Sequence, residues 1–229
     1  MFPRGLIVSS QALAGNPLRN SETLAIMAEA AEVGGAKAIR ANGVEDIAAI
    51  RRRVSVPIIG IDKRQDETGR TVITPDFAGA KAIAEAGANI IALDATGYPS
   101  SIREDRRTLI ARIHEELGLL VMADISTAAE AKMAAEMGAD AVSTTLAGYI
   151  PGALHTDAEL YTPNFALIAE IAAMQLPCLL VAEGRIWSRE DLAKAFALGA
   201  DAVVIGKAVT NPMAITRYFN SAVPEAVRE

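Results

Sequence analysis

Hydrophobic positions fall into short apolar runs that are separated by longer amphipathic stretches. A turn of Gly and Ala followed by an apolar run occurs four times, and four more apolar runs lie between these copies. The amphipathic stretches carry apolar residues at helical spacing, as at Leu24, Met27, Ala28 and Ala31. This alternation predicts eight strand and helix units, with strands in residues 5–11, 33–40, 56–62, 85–95, 118–124, 136–145, 177–183 and 197–206.

The predicted strands are almost continuously apolar, which is typical of parallel strands that are covered on both faces. Successive copies of the Gly-Ala turn lie roughly 50 to 60 residues apart, the length of two strand and helix units in a barrel. We therefore predict an α/β protein with a (β/α)8 TIM barrel that forms a single domain over residues 1–229. A doubly wound open sheet is the alternative. Two long connections, 65–74 and 146–162, are candidates for lids.

Composition argues against several classes of partner. The formal net charge of −6 and the pI of about 5.1 disfavour binding to nucleic acid or to an anionic membrane. No apolar run reaches the ~18 residues of a membrane-spanning helix, and residues 9–11 interrupt the apolar start, which we interpret as a strand and not as a signal peptide. Cys178 is the only cysteine, which predicts a cytoplasmic location. Apolar helix faces are compatible with a homodimer.

Functional groups occur at the end of nearly every predicted strand. Active sites of TIM barrels lie at these carboxyl ends. A single charged residue there has a simpler explanation, contact with solvent, but ionisable groups that crowd one concave mouth must pair or shift in pKa. The strand-end candidates are Gln11, Arg40, Lys63, Asp94, Asp124, Thr144 with Thr145, Glu183, and Gly206 with Lys207.

The sequence does not indicate a metal or a cofactor. Asp94, Asp124 and Glu183 offer oxygen ligands, which leaves magnesium as an alternative. Zinc is not expected, since His114 lies in a predicted helix and His155 in a loop. His155 is a candidate to close over the site, with a solvated loop position as the alternative. Neither a Gly-x-Gly-x-x-Gly nor a Walker sequence occurs, so a nucleotide cofactor is not expected.

The last two strands end in sequences that favour phosphate binding. TIM barrels commonly bind phosphate between the loops that follow these strands, where glycines allow a backbone N–H to approach an oxygen and a helix N-terminus adds its dipole. Tight turns alone are the structural alternative for the glycines. We predict a phosphorylated small substrate, held by Gly184, Arg185, Gly206 and Lys207.

Lys63 and Glu183 are the strongest candidates for acid-base chemistry. They end the third and seventh of eight predicted strands, which are diametrically opposed in a barrel. A lysine made neutral by burial can remove a proton beside a carbonyl, and a carboxylic acid on the opposite side can return one. The residues alone leave three alternatives open for Lys63: proton transfer, a Schiff base, and a structural ion pair.

Several motifs together resemble one known family, the N-acylglucosamine-6-phosphate 2-epimerases, also called N-acetylmannosamine-6-phosphate 2-epimerases. The motifs run in order from Gly5 to about Phe219: GLIVSSQAL, GGAKAIRANG, PIIGIDKR, IALDAT, MADIST, GADAVSTTLAGY and AEGRIWSREDLAKAFALGADAVVIGKAVTNP. The resemblance implies conversion of N-acetylmannosamine 6-phosphate to N-acetylglucosamine 6-phosphate in sialic acid and amino-sugar catabolism, without a cofactor.

The resemblance also implies roles for individual residues. The family's catalytic lysine and glutamate correspond to Lys63 and Glu183, its substrate contacts to Gln11, Arg40 and Asp124, and its phosphate site to the loops of Gly184 and Gly206. We add Thr144 and Thr145 as expected substrate contacts.

One position departs from the family pattern. Asn211 stands where the family often has an arginine, so a charge-assisted bond to phosphate is lost. Weaker phosphate binding is expected unless Lys207 or Arg185 compensates. Three alternatives to this epimerase remain: a Schiff-base aldolase, another isomerase acting on a phosphorylated sugar, and a non-catalytic sugar-phosphate sensor.

Overall fold

The computed structural model describes residues 1–149 and 161–224. The strands in this part of the chain are β1 (Gly5–Ser9), β2 (Ala38–Asn42), β3 (Ile58–Ile61), β4 (Lys63–Gln65), β5 (Thr71–Ile73), β6 (Ile90–Asp94), β7 (Leu120–Asp124), β8 (Ala141–Ser143), β9 (Leu179–Glu183) and β10 (Ala202–Ile205). The α-helices are α1 (Ser21–Val33), α2 (Val44–Arg51), α3 (Phe77–Glu85), α4 (Arg106–Arg112), α5 (Ala128–Glu136), α6 (Phe165–Ala173), α7 (Arg189–Ala197), α8 (Lys207–Thr210) and α9 (Pro212–Ser221).

Eight of these strands form a closed parallel barrel in the order β1-β2-β3-β6-β7-β8-β9-β10. Closure is direct, because β10 pairs in parallel with β1, with Gly5 opposite Ala202 and Val8 opposite Ile205. The predicted TIM barrel and its eight strands are therefore confirmed, and the open-sheet alternative is wrong. Strands β3 and β9 lie four positions apart in the ring, on opposite sides of the barrel.

Each barrel strand is buried on both faces, which explains the continuous apolar runs. Successive side chains of a strand point to opposite faces, so Ile7 fills the barrel interior while Val8 packs under the helices. The same alternation separates Ile59 from Ile58. Any residue two positions beyond an inward-facing apolar residue therefore points inward at the barrel mouth.

The connection after β3 contains a β-hairpin that the sequence pattern did not predict. Strands β4 and β5 pair antiparallel, with Lys63 opposite Ile73 and Gln65 opposite Thr71. We predicted a lid loop over 65–74, but three-residue strands are too short to show a two-residue period. Only the turn Asp66–Gly69 carried a local signal for the hairpin.

Side-chain caps begin most of the helices. Asn20 accepts hydrogen bonds from the backbone at the start of α1, and Thr127 with Glu130 forms a capping box on α5. Such caps satisfy N–H groups that have no partner within the helix. No helix within residues 1–149 and 161–224 is long and apolar enough to cross a membrane.

Candidate active site

Arg40 lies at the centre of the barrel mouth. Its side chain points inward because Arg40 follows the inward-facing Ala38 by two residues in β2. Only 1% of this side chain is exposed. Its Nη2 donates to Asp124 Oδ2 at 2.5 Å and its Nη1 to Asp124 Oδ1 at 3.1 Å, while Nη1 also donates to Glu183 Oε2. One guanidinium thus joins two carboxylates from β7 and β9.

Thr145 bridges the same two carboxylates. Its Oγ1 lies 2.5 Å from Asp124 Oδ1 and 3.1 Å from Glu183 Oε2, and it accepts a bond from Arg40 Nη1 at 3.0 Å. A hydroxyl has one proton to donate, so it bonds to one carboxylate at a time. Ser143 Oγ lies 2.8 Å away on the other side. We predicted Thr145 as a substrate contact, and in the structure its hydroxyl is engaged with these side chains.

Thr144 holds the backbone of Glu183. Its Oγ1 accepts from the N–H of Glu183 and donates to the C=O of Glu183, both at 2.9 Å. Thr144 is buried and lies beside the catalytic candidates, but its hydroxyl is used to fix the end of β9. The alternation of side chains along β8 distinguishes the two threonines. Thr145 continues the inward-facing series of Ala141 and Ser143, whereas Thr144 does not.

Lys63 lies two residues beyond the end of β3 and begins β4, so the barrel strand does not run directly into the lysine. Its Nζ donates to Gln11 Oε1 at 2.8 Å, and Gln11 Nε2 in turn donates to Ser9 Oγ at 2.7 Å. Its backbone N–H donates to Asn42 Oδ1 at 3.0 Å. Burial lowers the pKa of Lys63, and the nearby positive charge of Arg40 lowers that pKa further.

Glu183 ends β9, on the opposite side of the barrel from β3. Burial raises the pKa of Glu183; the charge of Arg40 opposes this rise and the charge of Asp124 adds to it. The side chain is 16% exposed, whereas that of Asp124 is 0% exposed. Burial also raises the pKa of Asp124. Glu183 is therefore the carboxylate of this cluster that faces the mouth, and its raised pKa favours the neutral, protonated form.

Asp94 also ends a barrel strand, but it belongs to a different ion pair. Its Oδ2 accepts from Arg70 Nη2 at 2.5 Å, and its Oδ1 lies 3.4 Å from Arg103 Nη1. Thr96 donates to Oδ1 through both its N–H and its Oγ1. Sequence reasoning missed Arg70, because nothing in the chain indicates that the turn of the hairpin reaches β6.

Two of the three carboxylates considered as magnesium ligands, Asp124 and Glu183, belong to the central cluster and pair with Arg40, whereas Asp94 pairs with Arg70. Within residues 1–149 and 161–224 no group of three or more His, Cys, Asp or Glu is arranged to hold a metal ion. His114 pairs with Asp140 at 2.8 Å, at the end of the barrel opposite the carboxyl ends of the strands. His155 and most of the predicted 146–162 lid lie outside the described residues.

The predicted phosphate site lies where β9 and β10 end. Gly184 and Arg185 both have left-handed backbone conformations, with φ of 109° and 59°. The Nη2 of Arg185 donates to the C=O of Ala147 at 3.1 Å. Gly206 precedes α8 and packs against Ser9, where an added Cβ would lie 3.3 Å from the Ser9 Cβ. Lys207 is the first residue of α8.

Asn211 is used as a helix cap. Its Oδ1 accepts from the N–H of Ala214 at 3.0 Å and begins α9, with Pro212 as the first helical residue. The side chain that replaces the family's arginine thus stabilises a helix N-terminus.

A closed barrel whose mouth holds an inward-facing lysine, arginine and two carboxylates defines a TIM-barrel enzyme with acid-base groups at the carboxyl ends of its strands. A family model described as "Putative N-acetylmannosamine-6-phosphate epimerase" matches residues 24–225. The chain belongs to the N-acetylmannosamine-6-phosphate epimerase family. The resemblance seen in the sequence is confirmed, and with it the prediction of an isomerase.

Individual relatives agree with this assignment. A Caldanaerobacter subterraneus protein named "Putative N-acetylmannosamine-6-phosphate 2-epimerase" is 45% identical over 223 residues, which cover 96% of this chain and 92% of that protein. A Cutibacterium acnes protein of the same name is 41% identical, with 95% and 93% covered. The solved structure of the N-acetylmannosamine-6-phosphate 2-epimerase from Clostridium perfringens is 40% identical and superposes with a TM-score of 0.88, covering 96% of this chain and 93% of that one.

Proposed function

We propose that this enzyme interconverts N-acetylmannosamine 6-phosphate and N-acetylglucosamine 6-phosphate by moving the proton at C2, without a cofactor. One observation carries the mechanism. Lys63 and Glu183 approach the barrel mouth from opposite sides, and burial shifts the pKa of each toward its neutral form. Inversion at carbon needs a base on one face and an acid on the other, and this pair supplies both.

The reaction begins with the open-chain aldehyde, whose C1 carbonyl makes the C2 proton acidic. Neutral Lys63 takes this proton, and the C2–H electrons form the C1–C2 double bond of an enolate with its charge on the C1 oxygen. Glu183 then delivers its proton to C2 from the opposite face. Lys63 ends as the ammonium and Glu183 as the carboxylate, and exchange with water restores both. The reverse reaction uses the same groups in exchanged roles.

Arg40 and Gln11 support this assignment as substrate contacts. The Nε of Arg40 is buried and has no hydrogen-bond partner among the described residues, so one donor of the central cation is available to an oxygen of the substrate. Gln11 holds Lys63 Nζ at 2.8 Å and orients the amine. Asp124 keeps Arg40 ionised and fixed. Gly184, Arg185, Gly206 and Lys207 hold the phosphate in this proposal.

Exchange of the C2 proton with solvent deuterium tests the mechanism. Wild-type protein in D2O should incorporate deuterium at C2 of both epimers, as observed by proton NMR. Lys63→Ala should lose both exchange and epimerisation, and Glu183→Gln should lose epimerisation. Lys81→Ala, a change on the exposed surface of α3, is the matched control and should behave as wild type. Near-normal turnover by Lys63→Ala would refute the assignment.

A Schiff-base mechanism is the second candidate, because a neutral lysine is also a nucleophile. Borohydride reduction in the presence of substrate distinguishes the two. A covalent adduct on Lys63, found by peptide mass spectrometry, would favour the Schiff base. Proton transfer predicts no adduct together with rapid exchange at C2.

The cellular setting belongs to the same proposal. A sugar phosphate as substrate, a role in sialic acid and amino-sugar catabolism, and a single cysteine support a cytoplasmic enzyme with one domain. The exposed apolar side chains of α9, such as Phe219, which is 67% exposed, support a homodimer. Light scattering after size-exclusion chromatography measures the mass directly, and a mass near 24.0 kDa would refute the dimer.

A further inference from the structure

The amine of Lys63 is carried by the β4–β5 hairpin and not by a barrel strand. Lys63 is the first residue of β4, where it pairs with Ile73 in β5, and its backbone N–H also donates to Asn42 Oδ1 at the end of β2. The position of Lys63 therefore depends on how the hairpin is seated on the barrel. Whatever fixes the hairpin to the barrel also fixes the distance between Lys63 and its reaction partner.

Two contacts fix the hairpin to β6. At its base, Thr74 Oγ1 donates to the C=O of Ala92 at 2.6 Å. At its turn, Arg70 reaches across to Asp94, with Nη2 at 2.5 Å from Oδ2, and to Thr96 Oγ1 at 3.0 Å. The side chain of Arg70 is 12% exposed and that of Asp94 0% exposed. The pair is screened little by solvent and is therefore stronger than a surface ion pair.

The turn itself presents Arg70 to this partner. Asp66 Oδ1 accepts from Thr68 N, Thr68 Oγ1 and Arg70 N at 3.0, 2.6 and 3.1 Å, which makes the turn rigid. Asp94 is held in place by Thr96 and Arg103. Contacts other than the ion pair thus hold the backbone of Arg70 and the side chain of Asp94 in place.

We propose that Arg70 is a positioning residue for the epimerase reaction. Its buried ion pair with Asp94 holds the β4–β5 hairpin against the barrel, and the hairpin in turn holds the amine of Lys63 at the barrel mouth. This inference rests on the proposed role of Lys63. A competing explanation is direct contact of Arg70 with substrate, because Arg70 Nη1 is buried without a partner among the described residues. The two explanations differ in the kinetic constant that they change.

Steady-state kinetics of Arg70→Met separates them. Positioning predicts that kcat falls about 100-fold, the cost of a displacement near 1 Å, while KM changes less than threefold. Arg70→Lys keeps the charge and should recover part of kcat. Arg53→Met is the matched control, since Arg53 also joins two carboxylates but on the surface, and it should match wild type. A raised KM with unchanged kcat, or an unchanged kcat, would overturn the proposal.

A second readout needs no substrate. Acetylation of Lys63 by acetic anhydride, followed over pH by peptide mass spectrometry, reports the pKa of this amine. The charged groups that act on Lys63 are Arg40, Glu183, Asp124 and Lys207. In Arg70→Met a displaced hairpin exposes Lys63 to water, so the labelling midpoint should rise toward 10.5; an unchanged midpoint contradicts positioning.

This measurement also separates the two proposals. If wild type fails to epimerise the sugar phosphates but the labelling midpoint still shifts in Arg70→Met, the proposed function is wrong and the positioning of Lys63 by Arg70 stands. If Arg70→Met does not fold, as judged by circular dichroism, Arg70→Lys is tested in the same two ways, with shifts of the same direction and smaller size.

Discussion

Two buried arginine–carboxylate pairs lie side by side at the carboxyl ends of neighbouring strands. Asp94 of β6 and Asp124 of β7 are register partners, and both side chains are 0% exposed. Asp124 pairs with Arg40 from a barrel strand, whereas Asp94 pairs with Arg70 from the hairpin. Asp94 and Asp124 occupy equivalent positions at the ends of their strands, so any difference between the two ion pairs comes from the groups that surround them.

The balance of charge around the two pairs is opposite. At the centre, one arginine serves two carboxylates, Asp124 and Glu183. At the end of β6, two arginines, Arg70 and Arg103, pair with one carboxylate, Asp94. Burial and the charge of Arg106 lower the pKa of Arg103. Burial raises the pKa of both central carboxylates, and the charge of Asp124 adds to the rise at Glu183. Asp94, by contrast, is flanked by two cations.

Replacing Glu183 by Gln should give the largest effect, because Glu183 belongs only to the central pair. Epimerisation should fall about 1,000-fold. In wild type the reacting form carries neutral Lys63 and protonated Glu183, so kcat/KM should fall at low pH, where Lys63 gains a proton, and at high pH, where Glu183 loses one. Burial raises the pKa of Glu183 and lowers that of Lys63, which narrows the gap between them, and both limbs belong to the coupled pair. Glu183→Gln should retain only C2 exchange, which rises with pH because Lys63 must be neutral. Proton NMR in D2O measures both. A decline at high pH that persists in the variant would show that another group, and not Glu183, causes it.

Asp124→Asn and Asp94→Asn compare the two pairs directly. Asp124→Asn leaves Arg40 with one carboxylate, so kcat/KM should fall about 100-fold and the free energy of unfolding by about 3 kcal/mol. Asp94→Asn keeps a hydrogen-bond acceptor for Arg70, and we expect about a tenfold loss in kcat with little change in KM. Steady-state kinetics and urea unfolding provide the numbers. Equal losses in both variants would contradict the distinction.

Thr145→Val removes the hydroxyl that bridges the central carboxylates and keeps the shape of the side chain. We expect kcat/KM to fall about tenfold and the free energy of unfolding by about 2 kcal/mol, because buried acceptors of Asp124 and Glu183 lose a donor. Thr145→Ser restores the hydroxyl and should recover most of the activity. A loss of stability without loss of activity would limit Thr145 to a structural role.

Arg64→Met should have the smallest effect, although Arg64 lies in the same hairpin as Lys63. Arg64 pairs with Asp62 and Asp76 but is 40% exposed, and exposed ion pairs contribute about 0.5 kcal/mol. We expect kcat within twofold of wild type. A large loss would mean that the base of the hairpin, and not the pair of Arg70 with Asp94, controls Lys63.

Much of this molecule was predictable from its sequence. Continuous apolar runs predicted all eight barrel strands, since burial on both faces leaves an unmistakable pattern. The alternation of inward and outward side chains along each strand also explains why Arg40, Asp124 and Glu183 converge. Each of them follows an inward-facing apolar residue by two positions and therefore also points inward. The opposed positions of Lys63 and Glu183 followed from counting strands in a closed ring.

The different roles of Asp94 and Asp124 could not be predicted. Both follow an apolar strand, and only the three-dimensional structure shows that Arg70 reaches Asp94. The hairpin is too short for a periodic pattern, and its ion pair with β6 joins residues 24 positions apart in the chain. The cap at Asn211 was open to prediction, since Asn followed by Pro indicates the start of a helix, and the structure shows α9 beginning there.

The closure at the base of the hairpin has a consequence for protein evolution. Thr74 N donates to the C=O of Asp62 at 2.8 Å and Asp62 N donates to Thr74 Oγ1 at 3.0 Å. These two hydrogen bonds join the ends of the hairpin where the chain leaves and rejoins the barrel. The exposed tip of the hairpin can therefore accept sequence changes during evolution while every barrel strand keeps its pairing.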